Sequence, residues 1–177
     1  MTDTLDLGLL ALRVMLALLL LGHATQKLFG WFRGMGVAGT GTHFESLGFS
    51  PGPPMVVMAG VSETVAATLL ALGLLTPLGG AVAIGTMIVA ASANFSHGLW
   101  AHLGGYEVAF VYAGTAAVLV LTGPGEISLD HALGWTYAPW VRWVALVVGV
   151  VAAVPLLVRR SAQLRGTDRR MGPDAGG

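Results

Sequence analysis

Cysteine is absent from the 177 residues. That removes disulfides, thiol relays, thiolate nucleophiles and cysteine-ligated clusters from the chemistry open to this chain. It also removes the cysteine-pair route by which some small helical membrane enzymes pass electrons to a quinone. Charge is nearly as scarce. Only 10% of the residues are Asp, Glu, Lys or Arg, against about 25% in ordinary soluble domains, too few to cover the surface of a soluble protein of this size. Basic and aromatic residues are not expected to interleave on one surface, so nucleic acid is not among the expected partners. The opening segment MTDTLDLG carries Asp3 and Asp6 but no basic residue. The apolar run behind it is too long for a signal h-region and contains Arg13, so it reads as a permanent helix.

What the chain does have is apolar length, with 55% hydrophobic residues. Five stretches suit a bilayer core of about 30 Å at about 1.5 Å per residue: residues 7–29, 55–75, 78–100, 106–122 and 138–158. The fold expected is all-α, a polytopic membrane protein. A polar, glycine-rich connection at 30–54 carries THFESL at 42–47, which suits a short interfacial helix with Phe44 and Leu47 on its apolar side. Gly123-Pro124-Gly125 ends the fourth stretch, and Asp130 beyond it is expected to cap or pin a turn. Trp100, Trp140, Trp143 and Tyr137 mark the interfaces.

The few charges are sorted along the chain. Arg159, Arg160, Arg165, Arg169 and Arg170 follow the last span, and Lys27 and Arg33 follow the first. By the positive-inside rule these segments face the cytoplasm and the N-terminus lies outside. The outer segments then hold Asp3, Asp6, Glu126 and Asp130, with Arg142 as the exception. Glu63 stands alone in the second span, where a carboxylate costs about 2.5–3.5 kcal/mol on insertion scales. Counting depth from the span ends gives it Arg13 as a partner in a buried ion pair, which either fixes helix register or tunes a proton-accepting carboxylate. A second polar layer gathers near the inner boundary: His23 and Lys27 on one face of the first span, Asn94 and His97 on one face of the third, and Glu107 at the start of the fourth. Lys27 taken alone reads more readily as a side chain that snorkels to lipid phosphates. Together with Glu63, the group offers donors and a proton source for a quinone head group. His23 and His97 as axial haem ligands are the weaker use, and no metal site is assigned.

Several motifs, in order, resemble the DoxX family of small bacterial integral membrane proteins. They are Arg13 in the first span, GHATQKLFG at 22–30, the Ser-Glu of GVSETVAATLLALGLLTPLGG at 60–80, NFSHG at 94–98, GGYEVAF at 104–110 and GPGEISLDHALG at 123–134. The resemblance covers about residues 7–134 and implies a four-helix transmembrane bundle over residues 1–134. Residues 135–160 then add a fifth transmembrane helix, and residues 161–177 form a basic polar tail expected to be partly disordered. It also implies a link to membrane oxidoreductase or respiratory assemblies, including a thiosulfate:quinone oxidoreductase and oxidative-stress complexes. The function expected is an integral subunit of such an assembly in the bacterial plasma membrane, with quinone contact at the cytoplasmic-side boundary and no covalently bound cofactor. Its partners are the bilayer and other membrane subunits or further copies of itself. Two alternatives stand beside it: a non-catalytic accessory subunit that docks through the fifth span and the tail, and a small proton-coupled transporter that uses Glu63.

Overall fold

Glycine and proline decide where the apolar sequence stops being helical. The computed structural model describes residues 3–170 and is all-α over them. The first span is α1, Thr4–Phe29. It ends at Gly30, whose φ of 73° only glycine adopts freely, and the Gly30 amide closes the last turn on Gln26 and Thr25. A kinked turn leads into α2, Gly36–Ser46, which extends the expected interfacial helix toward its N-terminus by six residues. Helix α3, Gly52–Leu72, opens with prolines in its first turn and ends at Gly73, φ 60°. Helix α4, Thr76–Asn94, runs on into a 3-10 turn at Phe95–His97. After a looped connection come α5, Glu107–Thr122, the four-residue α6, Leu129–Ala132, and α7, Pro139–Arg170.

Four of these helices, α1, α3, α4 and α7, are long and apolar enough to cross a membrane, and α5 is a shorter apolar helix of the same kind. Helices α1, α3, α4 and α5 pack in sequence, and α5 returns to α1 to close a four-helix bundle. Its core is built from Leu16, Leu20, Ala66, Leu70, Ala116 and Leu119. Large apolar side chains on the outward faces, such as Leu18, Val61, Phe110 and Val147, are exposed, as a lipid-facing surface requires. Helix α7 lies outside the bundle against α4. Gly149 sits against the Ala81 carbonyl and Ile84, and Gly85 against the Gly149 carbonyl, so a Cβ at either glycine would meet backbone oxygen at 2.9 Å. Small residues spaced by four (Ala145, Gly149, Ala153 facing Ala81 and Gly85) let the two backbones approach.

The fifth helix does not end near residue 160. It continues as helix to Arg170, so the tail expected from residue 161 is ordered for a further stretch. The reason is contact: Arg160 Nε donates to the Leu47 carbonyl at 2.8 Å, its guanidinium covers the Phe49 ring, and Leu164 packs against Gly48. The rest of that tail lies outside the described residues.

The bundle has two chemically different ends. One gathers Asp3, Asp6, Glu126 and Asp130 with the α3–α4 turn; the other gathers Lys27, Arg33, Arg159, Arg160 and Arg165 with α2.

Candidate functional site

At the acidic end the buried charges Asp6, Arg13 and Asp130 are committed to holding the chain. The buried Asp130 carboxylate accepts from the Leu75 amide at 2.8 Å, the Thr76 amide at 3.0 Å, the Thr76 hydroxyl at 2.8 Å and the Tyr137 hydroxyl at 2.9 Å. Its own amide donates to the Gly73 carbonyl at 2.9 Å. One side chain thus caps α4 and fastens the segment after Gly-Pro-Gly over the α3–α4 turn, the pinning role expected for it. Burial and the bond to Asp130 push the Tyr137 phenol up to about 12. Asp6 accepts from the Glu126 amide at 2.8 Å. Arg13 is fully buried and donates to the Ile127 carbonyl.

Arg13 is therefore not the partner of Glu63. Its guanidinium lies so close to Gly73 that a Cβ there would overlap it, and Glu63 is ten residues earlier on α3, about 15 Å along the axis. Depth counting failed because the helices are not flush. Helix α1 starts beyond the end of α3, and Arg13, well inside α1, is level with the α3 terminus. The same offset brings in Lys27. It lies 14 residues after Arg13, about 21 Å, and its side chain reaches back along the bundle to Glu63 Oε1 at 2.5 Å. Lys27 consequently does not snorkel away from the core. The Glu63 side chain is 2% exposed and that of Lys27 20%. Glu63 Oε2 is buried and accepts no hydrogen bond from the described residues.

Two cavities meet at this pair. The larger, about 460 Å³, lies between α2, α3, α4 and α7. Its walls are apolar, with Phe44, Phe49, Met58, Val82, Val89 and Leu156 among them. From Ala81 to Asn94 it follows 14 residues of α4, about 20 Å from first to last. The smaller, about 200 Å³, lies between α1, α3, α4 and α5 and carries His23, Tyr106 and Tyr112. Lys27, Glu63, Ala90 and Asn94 line both.

The structure thus brings His23, Lys27, Glu63 and Asn94 together, and leaves two expected members out. His97 is exposed on the 3-10 turn, where its ring neighbours Ser96 and Gly104. It lines neither cavity and shares none with His23. Glu107 accepts from the Ala101 amide at 2.9 Å and so secures the loop before α5. His97 is carried into the connection by the 3-10 turn that follows α4, and Glu107, at the start of α5, turns its carboxylate to the same connection. Tyr112 was missed. It packs edge-on against His23 at 5.8 Å between ring centroids, and a tyrosine well inside an apolar span was a signal for it. The α7 wall, with Ala152, Ala153 and Leu156, was missed as well; the Ala145, Gly149, Ala153 spacing was its signature. Among the described residues no group of three or more His, Asp or Glu side chains is arranged to hold a metal ion.

The DoxX family model matches residues 8–103. The chain belongs to the DoxX family. The match takes in α1 to α4 and stops before α5, so it is shorter than the motif resemblance that ran to residue 134. It covers Lys27, Glu63 and Asn94 but neither Tyr112 nor the α7 wall. No match was found among curated proteins or among solved structures. As a DoxX protein the chain is a multi-pass membrane protein in contact with the lipid bilayer.

Proposed function

We propose that this DoxX protein is a quinone-binding subunit of a membrane oxidoreductase, with the quinone tail in the larger cavity and its head group at Lys27 and Glu63. The observation that carries the reading is an elongated, mostly apolar chamber with a buried ion pair in its wall, one carboxylate oxygen of which has no hydrogen-bond donor among the described residues. A ligand suited to it is long, apolar and neutral, with a small head that both accepts and donates. A phospholipid would set its phosphate against Glu63. A quinone sets a carbonyl, which accepts from the Lys27 ammonium, and its quinol form donates to Glu63.

Reduction of a quinone to the quinol takes two electrons and two protons. Glu63 is placed to pass a proton to a carbonyl oxygen, and Lys27 to stabilise the negative charge that builds there. With no cysteine in the chain, the electrons are supplied by a redox-active partner subunit. The basic end faces the cytoplasm of a bacterial plasma membrane in this reading, as the segregation of Lys and Arg supports.

Equilibrium binding of a short-tailed ubiquinone analogue to the protein in nanodiscs tests the proposal. The wild type binds; Glu63→Gln and Val89→Phe each weaken binding by about tenfold or more, 1.4 kcal/mol. Absence of wild-type binding, or unchanged affinity in both variants, overturns it.

A further inference from the structure

The smaller cavity is separate from the apolar chamber yet reaches the same carboxylate. At one extreme it is lined by Gly105 and Tyr106, which belong to the connection at the basic end; at the other it is lined by His23, Tyr112 and Glu63. Its lining includes His23, Lys27, Asn94, Tyr106 and Tyr112 beside Glu63, so water has polar partners in it. Glu63 and Lys27 form the partition: each lines both spaces, and Glu63 Oε2 has no protein donor. A carboxylate with one oxygen held by an ammonium and the other open is a proton-exchange site wherever water can reach it.

From this we infer that the smaller cavity is an aqueous inlet through which Glu63 exchanges protons with the basic-end solution, on a route distinct from the ligand chamber. A hydronium ion at the mouth gives up its proton along water, with the His23 ring and the Tyr112 hydroxyl beside the path, and the proton ends on Glu63; no electrons move. Protonated Glu63 is neutral and releases Lys27 to donate elsewhere. The titratable side chains that line the two spaces alongside Glu63 are His23 and Lys27 of α1, His43 of α2, and Tyr106 and Tyr112 at α5; α4 and α7 contribute none. The inlet rests on its own geometry. Its use to protonate a quinone rests on the reading proposed above.

A crossed pair of variants separates the two. Ala109 lines only the smaller cavity and Val89 only the larger. Proton exchange at Glu63 is read as the carbonyl stretch of its protonated carboxyl after a pH jump, assigned by subtracting the spectrum of Glu63→Gln. Ala109→Phe is expected to slow that exchange by about tenfold while quinone affinity stays within about twofold. Val89→Phe is expected to do the reverse. If Ala109→Phe does not fold, Ala109→Leu, a smaller plug, serves in its place. Slower exchange in Val89→Phe but not in the plugged inlet overturns the inference and leaves the quinone reading intact. No titrating Glu63 band in the wild type overturns it as well. Slower exchange in the plugged inlet with quinone affinity unmoved in Val89→Phe upholds the inlet and sinks the quinone reading.

Discussion

The acidic and basic ends of this bundle spend buried polar groups in opposite ways. At the acidic end, Asp130 is saturated by four donors and Asp6 holds a loop amide. The carboxylates there complete the fold. Reached by Lys27 from the basic end, Glu63 in the middle of α3 is as deeply buried but has one partner and one unpaired oxygen, and two cavities reach it. A buried carboxylate with bonding capacity left over in a membrane helix marks the candidate site. Rigidity at one end and unfilled bonding capacity at the other separate the scaffold from the site.

Asp130→Ala should break this contrast most severely. It strands the Leu75 and Thr76 donors in a buried turn, so the protein should lose about 3 kcal/mol or more, measured by thermal unfolding in detergent. Gly73→Ala should follow, because its φ is positive and a Cβ would overlap Arg13; a loss of about 2–3 kcal/mol is expected in the same assay. At the basic end the ion pair should behave differently. Lys27→Met alone leaves Glu63 buried without its ammonium and should destabilise by about 1–3 kcal/mol, whereas Lys27→Met with Glu63→Leu should return to within about 1 kcal/mol of wild type and still bind no quinone. A double variant as unstable as Asp130→Ala would make the pair another structural fastener.

The smallest effect concerns Tyr137. Its phenol is raised to about 12 in the folded protein, above the ordinary value of about 10. The neutral phenol is the form the fold favours, so its contribution is complete below about pH 10 and is lost as pH rises toward 12. Stability measured from pH 9 to 12 should fall in the wild type, and Tyr137→Phe should flatten that part of the curve.

The spans were readable because bilayer thickness imposes length and apolarity, and glycine and proline mark the ends. Glu63 stood out because nothing else in its span is charged. Its partner did not, because pairing depends on how far neighbouring helices slide past one another. Arg13 was assigned by counting from span ends as though they were level, and the offset of α1 instead delivers Lys27. For His97 and Glu107, depth does not fix direction: the 3-10 turn after Asn94 carries His97 into the connection, and Glu107 at the start of α5 bonds back to it. The wall supplied by α7 was written in its small residues, a pattern weaker than any charge.

Photo-cross-linking with an azidoquinone, followed by peptide mapping, tests the central claim most directly. The account predicts labels on the chamber-facing residues of α3 and α4, at Met58, Ala59 and Ser62 and at Val89, Ala90 and Ala93, that excess unlabelled quinone displaces. Labels confined to lipid-facing positions such as Val61, Phe110 and Val147, undiminished by competitor, would contradict it.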